Sequence, residues 1–354
     1  MATSSVIGLD IGSTSLRAAE LEFGSAGPRG KNPPTLVRFG QVPLPLGAVR
    51  DGEVAQPETV SIALRQMWAQ AKFESRDVII GVGNQRVMVR ELELPWLPQP
   101  QIKASLPFQV AESLPMSADD ALLDFFTTSE GNGPNGRTVN GVLVAAQRDT
   151  VTANVLAVEG AGLRPVMVDL NAFALVRSLV RGNLARSTAA IVDIGATITT
   201  VVITQQGVPR LVRTLPIGGQ SVTAAVASAA GMTVLDAEAL KREIGVGFSV
   251  PADRATAAES INTVVRNLIE SVRNTFVYYT STNAGTAIDV VVLSGGGAHL
   301  AGLGQYLSSA SRLPVTLAEP LGAVRLGKNT RRESLPDLES VMSVPVGLAY
   351  GVAA

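Results

Sequence analysis

The sequence predicts an α/β protein built as two similar halves around a nucleotide cleft, and three glycine-containing loops carry that expectation. Two of them are copies of one design, VIGLDIGSTSLRAAEL at residues 6–21 and AAIVDIGATITTVVI at 189–203. Each reads as an apolar β run, then Asp-Ile-Gly, then small hydroxyl or methyl side chains, then a second β run. The third, DVVVLSGGGAHLAGL at 289–303, places Gly295, Gly296 and Gly297 after a β-branched strand and before a helix.

The chemistry of these loops follows from their residue types. Gly12 and Gly195 give the turn its backbone freedom, and the N–H groups of Ser13, Thr14 and Ser15, and of Ala196 through Thr199 (Thr197 included), can point at phosphate oxygens. Asp10 and Asp193 are the charged side chains of otherwise apolar strands, where an unpaired carboxylate is costly unless it meets a cation. Mg²⁺ held through water is the natural partner. One copy alone is weak evidence, because such a run is often just a strand ending in a turn; the repetition is what favours two half-sites facing each other. Glycines at 295–297 let a flat ring approach the backbone.

Phosphate, phosphate and adenosine motifs in this order resemble the actin, Hsp70 and sugar-kinase superfamily, whose nucleotide lies between two similar domains. The resemblance implies an actin-like, ribonuclease H-like duplicated two-domain ATPase fold with ATP and Mg²⁺ as its ligands.

Composition narrows the alternatives. The 354 residues suit two or three domains with sizeable cores. A formal net charge of −1 argues against non-specific binding to nucleic acid or anionic lipid. Without cysteine there is no disulfide, thiol nucleophile or thiolate metal site, and the single His299 cannot build a histidine cluster. The amino terminus lacks a basic leader and an apolar core, so a signal peptide is not expected. Mean hydropathy is +0.27, yet the most apolar window is interrupted by Asp193 and reads as a buried strand, so no direct membrane insertion is expected.

Along the chain, residues 16–22 and 35–42 read as strands, 58–73 as a helix with Val60, Leu64, Met67, Trp68 and Ala71 on one face, and 77–82 as a returning strand. Residues 86–148 then read as strand, helix, strand, strand, an inserted module. Pro107 and Pro115 punctuate it, which predicts a short helix with Pro107 near its first turn or at a kink. The stretches LPFQVAESLPMSADDALLDF (106–125) and LPLGAVRDGEVAQPETVSIALRQM (44–67) resemble the PilM family, actin-like cytoplasmic proteins of type IV pilus assembly. The likeness extends over nearly the whole chain and implies that the insertion is an SHS2-type subdomain.

The implied organisation is residues 1–85 as the first actin-like subdomain (1A), 86–165 as the insertion (1C) and 166–187 as the return to 1A. Residues 188–220 open the second half (2A), 221–284 form its satellite (2B), 285–338 return to 2A, and 339–354 form a C-terminal helix on 1A. Within 257–282, Ile261, Val264, Val265, Leu268, Ile269, Val272, Phe276 and Tyr279 fall at helical spacing and mark a core helix.

Further site candidates carry two readings each. Asp169 ends the strand that begins at Val166 and precedes an amphipathic run: it reads as the N-cap of the next helix, or, where the superfamily often keeps a water-polarising residue, as a general base or water orienter for phosphoryl transfer. Gly218 and Gly219, in VRTLPIGGQSVTAAVA at 212–227, form an ordinary strand-to-helix turn, or the turn that approaches the phosphates in the superfamily. Glu238 and Lys241, three apart on the helix at 235–245, form a solvated ion pair, or the pair that reaches ribose and adenine in PilM and the division protein FtsA. His299 reads as a packing or surface residue.

The PilM resemblance implies a cytoplasmic ATP-binding scaffold with at most slow hydrolysis, serving pilus assembly and twitching motility. It implies recruitment to the inner face of the cytoplasmic membrane through the cytoplasmic N-terminal peptide of PilN, contact with other platform or motor proteins, and a peptide groove walled by Arg86 to Leu94 and residues 101–126. An FtsA-like filament-forming protein with self-association, and a small-molecule phosphotransferase using Asp169, remain the alternatives.

Overall fold

A computed structural model describes residues 4–351 except 26, 28, 29, 31, 115, 135, 284 and 328–338. Pro115, the end of the expected 285–338 segment and the last three residues of the expected C-terminal helix lie outside the described residues.

The chain opens with a meander, β1 (Ser4–Ile11), β2 (Ser15–Phe23) and β3 (Thr35–Pro43), followed by a small hairpin, β4 (Val49–Arg50) and β5 (Glu53–Val54). Helix α1 (Pro57–Ala71) begins on a proline, whose fixed φ suits the first helical position, and ends with Lys72 in the left-handed region. Strand β6 (Asp77–Val82) returns parallel to β1. The insertion follows as β7 (Val87–Pro95), α2 (Gln99–Val110), β8 (Ala121–Gly133) and β9 (Gly136–Gln147). It forms its own three-stranded sheet in the order β7-β9-β8, against which α2 buries Ile102, Leu106 and Val110. Pro107 lies in the last turn of α2, not near its start; its missing N–H deprives only the carbonyl of Lys103, a solvent-facing residue.

Helix α3 (Arg148–Gly160), strand β10 (Arg164–Leu170) and helix α4 (Asn171–Leu179) complete the first half. Ala157 and Val158 of α3 pack in the same core as Val60 and Leu64 of α1. The insertion therefore ends at Gln147, and residues 148–165, expected within it, belong to the first half.

The second half runs β11 (Thr188–Ile194), β12 (Thr199–Gln205), β13 (Val208–Leu215), α5 (Gly219–Ala230), α6 (Val234–Ile244), α7 (Ala255–Thr282), β14 (Val290–Ser294), α8 (Leu303–Ser311) and β15 (Val315–Leu317). Its sheet has the order β13-β12-β11-β14-β15, and the first sheet has β10-β6-β1-β2-β3-β16. Read from the third strand of each meander, both show three antiparallel strands and then two parallel ones. The duplication seen in two short motifs thus extends to the whole sheet. β16 (Arg325–Leu326), expected in the second half, instead pairs with β3, Arg325 opposite Thr35.

Between the two sheets lies a layer of two helices, α4 and α9 (Ser343–Ala349). Leu175 and Leu179 of α4 and Val344 and Leu348 of α9 share one core with Ile79 of the first sheet and Ile191, Val202 and Val292 of the second. Glycine makes this layer thin. A Cβ on Gly347 would sit 1.9 Å from the Ala174 carbonyl oxygen, and one on Gly8 would sit 2.1 Å from that of Pro345. We expect Gly347→Ala to destabilise the protein by about 1–3 kcal/mol or more, because backbone rather than a side-chain tip must yield. Gly24→Ala, with open space around it, is expected to stay within about 0.5 kcal/mol; urea unfolding of both checks the contrast.

Candidate nucleotide cleft

The two Asp-Ile-Gly loops fold into the same turn. Gly12 N–H donates to the Ser15 carbonyl at 3.1 Å, and Gly195 N–H to the Ile198 carbonyl at 2.9 Å. A Cβ on either glycine would stand 2.9 Å from that carbonyl oxygen, so the turn closes only without one. Because those N–H groups are spent inside the turn, the next ones along carry any ligand. Among the described residues, no acceptor meets the N–H of Ser13, Thr14, Ala196 or Thr197. The turns face each other across the halves, with Ser13 Oγ and Thr197 Oγ1 2.7 Å apart.

Helix α5 docks onto the second turn: Gly219 N–H donates to Gly195 O at 2.9 Å and Gln220 N–H to Ala196 O at 2.7 Å. Gly218 is forced by this approach, since a Cβ there would lie 2.6 Å from both carbonyl oxygens of the turn. The third loop comes down on the end of β11. Gly295 has φ +82° and would carry a Cβ 2.5 Å from Ile194 O, while a Cβ on Gly297 would meet Ile194 Cγ2 at 2.3 Å. A cleft of about 940 Å³ opens above these loops. Asp10, Gly12, Ser13, Thr14 and Ser15 line it from one side, Asp193, Gly195, Ala196 and Gly219 from the other, and Gly295–Gly297, Glu238 and Lys241 along one end. Gly218 borders an adjoining recess of about 480 Å³, and Thr197, outside the lining, meets Ser13 through its hydroxyl.

The electrostatics of the cleft are unbalanced. Burial pushes the Asp10 carboxyl above the usual range, opposed by the Arg17 guanidinium 3.3 Å away. Burial likewise pushes Asp193 up to about 6, with the Asp10 charge adding and Ser294 and Arg17 opposing. Two carboxylates thus share one desolvated space with a single neighbouring arginine, an arrangement that favours a cation. Among the described residues, no three Asp, Glu, His or Cys side chains converge, so a metal here would need water and ligand oxygens to complete its shell, as Mg²⁺ accepts.

The family model for the type IV pilus assembly protein PilM matches residues 8–351. The chain belongs to the PilM family. A solved PilM-PilN type IV pilus biogenesis complex is similar over 97% of both chains, at 25% identity and a TM-score of 0.82. More distant likenesses establish the actin-like fold alone. The ethanolamine utilization protein EutJ from Carboxydothermus hydrogenoformans matches at 14% identity and a TM-score of 0.57, covering 99% of this chain and 90% of its own. MreB 5 of Spiroplasma citri bound to AMPPNP matches at 14% identity and 0.54, covering 98% and 95%. Type IV pilus assembly is thereby the process this chain serves. Among the described residues no helix is long and apolar enough to cross a membrane.

In this PilM-family cleft, Glu238 and Lys241 are not a solvated pair. Lys241 is buried, and its ammonium donates to Glu238 Oε2 at 2.6 Å, Thr223 Oγ1 at 3.0 Å and Gly219 O at 3.2 Å. Partial burial pushes the Glu238 carboxyl up, but hydrogen bonds from Lys241, Thr223 and Arg242 outweigh it and hold the group below its ordinary value.

Asp169 departs from both of its readings. The N-cap of α4 is Leu170. The Asp169 carboxylate accepts from the Leu170 N–H at 2.7 Å and is ion-paired to Arg177, and the residue does not line the cleft. Two residues along, Asn171 does line it. His299 packs, its Nε2 2.6 Å from Ser340 Oγ.

Among the cleft residues that escape the sequence reading are Arg17, Asn154, Asn171 and Thr223. Arg17 was within reach, because a turn closed between Gly12 and Ser15 puts residue 17 opposite residue 10. The asparagines carried no pattern; their signal is structural. Asn154 Oδ1, Asn171 Oδ1, Ser15 Oγ and Arg17 Nε are all buried without a protein partner, and all four residues line the cleft. Buried polar atoms of this kind call for a ligand or water: Ser15 Oγ and Arg17 Nε can donate to phosphate oxygens, and the two amide oxygens can accept from water or meet a cation, so the residues present fit a hydrated polyphosphate with its cation.

Asp193 gives a pH test. Its carboxyl titrates near 3.8 when unfolded and about 6 when folded, so the folded state holds a proton the unfolded state has lost. Stability of the ligand-free, metal-free protein is therefore favoured at low pH and falls as pH rises through that interval. Asp193→Asn, isosteric with the protonated form, is expected to raise the thermal midpoint at pH 7.5 and leave it unchanged near pH 4. Equal shifts at both pH values would contradict a desolvated carboxylate.

Proposed function

We propose that this PilM-family protein is an ATP-binding scaffold that accepts the cytoplasmic N-terminal peptide of PilN and so links the pilus platform to its assembly motor. The observation that carries the reading is the pair of identical turns facing each other at Ser13 and Thr197, with Asp10 and Asp193 behind them. The free N–H groups of Ser13 and Thr14, and of Ala196 and Thr197, would receive phosphate oxygens. Asp10 and Asp193 would hold Mg²⁺ through water, and the ion would neutralise charge that Arg17 alone cannot. Gly295–Gly297 give the base a flat approach, and Glu238 would accept from the sugar.

Binding rather than turnover is the proposed mode. Asp169 is engaged by Arg177 and Leu170 N–H away from the cleft. The neutral Asn171 takes its place facing the phosphates; an amide orients water but does not take its proton, so hydrolysis is slow at most. Asp169→Asn is expected to change ATP turnover less than about twofold, since one pKa-matched base is worth about a hundredfold or more where it operates. A loss of that larger size would restore Asp169 as a base.

The peptide surface we assign to the join between the first half and the insertion. Phe126 of β8 is exposed and meets Phe173 of α4 edge to face at 5.7 Å. Val166 and Val168 are exposed on β10, the edge of the first sheet. An edge strand beside apolar anchors suits an extended peptide. The insertion walls, Arg86 to Leu94 and residues 101–126, stand on the same subdomain.

Titrating the protein with a PilN N-terminal peptide, with and without Mg·ATP, tests the reading. Binding is expected to depend on the nucleotide and to lose that dependence in the Asp10→Ala, Asp193→Ala double variant. Absence of peptide binding in both nucleotide states would remove the partner assignment.

A further inference from the structure

Lys241 is fully consumed within the protein. An ammonium has three protons, and three protein acceptors surround this one: Glu238 Oε2, Thr223 Oγ1 and Gly219 O. All three of its protons thus have acceptors in the cleft wall, and Glu238 is one of them. The Glu238 carboxylate accepts from Arg242 Nε at 2.8 Å on Oε1, and from Lys241 and the Thr223 hydroxyl, the latter at 2.5 Å, on Oε2. A carboxylate offers about four lone-pair sites, so one remains, and the residue lines the cleft.

Thr223 connects these groups. The residue is 2% exposed. The hydroxyl has one proton and two acceptors in reach, Glu238 Oε2 at 2.5 Å and Gly219 O at 3.1 Å; the shorter, charge-assisted bond takes it. The oxygen meanwhile accepts from Lys241. Thr223 thus stands on α5 one turn from Gly219, whose N–H is bonded to the second phosphate turn, and holds two side chains of α6.

We propose that Thr223 is a positioning residue that fixes the free lone pair of Glu238 toward the sugar hydroxyls of a bound ribonucleotide, with Lys241 holding the other side of the same network. The inference rests on the nucleotide-cleft reading above. It predicts that recognition of the nucleoside, and not of the phosphates, depends on one buried hydroxyl. Thr223→Val keeps the shape and removes the donor and acceptor together; Thr223→Ser keeps the hydroxyl.

Isothermal titration of the full chain with Mg·ATP and with magnesium inorganic triphosphate separates the cases. Thr223→Val is expected to weaken ATP binding about tenfold, the scale of one lost hydrogen bond to a buried charge, and to change triphosphate binding less than about twofold. Thr223→Ser is expected to stay within about twofold of the parent for both ligands. Unaltered ATP affinity in Thr223→Val, an equal loss for triphosphate, or a Ser variant as weak as Val would overturn the inference. Absence of ATP binding by the parent chain would instead overturn the cleft reading on which it rests.

Discussion

The contact between Ser13 and Thr197 depends on a distant constraint, the thinness of the helical layer between the two sheets. Two turns on separate sheets meet at hydrogen-bond distance only if the sheets approach closely and at a fixed angle. That approach is set by glycine: Gly8 on β1 and Gly347 on α9 remove the side chains that would hold α9 off the strand and off α4. Core residues of both sheets then share one cluster with α4 and α9. A packed core is bistable rather than elastic, so the same layer that brings the turns together also limits the halves to a few relative positions.

Inside that frame the cleft holds polar groups that the protein alone does not satisfy. Asp10 and Asp193 are desolvated together, and Arg17, paired with Asp10, opposes the upward shift of both carboxyls without cancelling either. Asn154 and Asn171 present buried oxygens without donors. These groups lower the stability of the empty protein, and a ligand that supplies a cation and hydrogen-bonding oxygens would return that free energy as affinity. At the end lined by Glu238 and Lys241 the balance is reversed: these two and Thr223 satisfy one another almost completely, which makes this end a wall rather than a vacancy.

The legible part of the sequence was the part written in local pattern. Asp-Ile-Gly between two β runs fixes a hairpin, and its recurrence fixed the duplication; the glycine run at 295–297 and the helices at 58–73, 235–245 and 257–282 were equally local. Misreadings occurred where tertiary geometry overrides a local rule. Asp169 precedes a helix as a cap should, yet the helix starts one residue later and Arg177, two turns on, captures the carboxylate. Helix α3 follows the insertion without a break in composition, so only its packing on α1 shows where it belongs. The pairing of Arg325 with Thr35 joins residues far apart in the chain and left no trace in either segment. Thr223, Asn154 and Asn171 are ordinary residues whose burial, not identity, makes them informative.

The duplication also explains where the insertion sits. In each half the fourth strand of the shared order crosses over to a helix, from β14 to α8 in the second half and from β6 to α3 in the first. The second half uses this crossover for Gly295–Gly297, which face the cleft; the first half expands it into the three-stranded module from β7 to β9. One topological position thus lines the cleft on one side and carries an outward-facing module on the other. The module does not rest on the first half alone, because Glu91 of β7 reaches Arg210 of β13 at 2.8 Å. Its two anchors lie on opposite sides of the cleft, Val144 and Ala146 packing with Val82 of the first sheet and Glu91 tied to the second. Any change in the angle between the halves must therefore shear the module or break that ion pair, so in the proposed function the peptide surface and the nucleotide are joined through the insertion's own geometry.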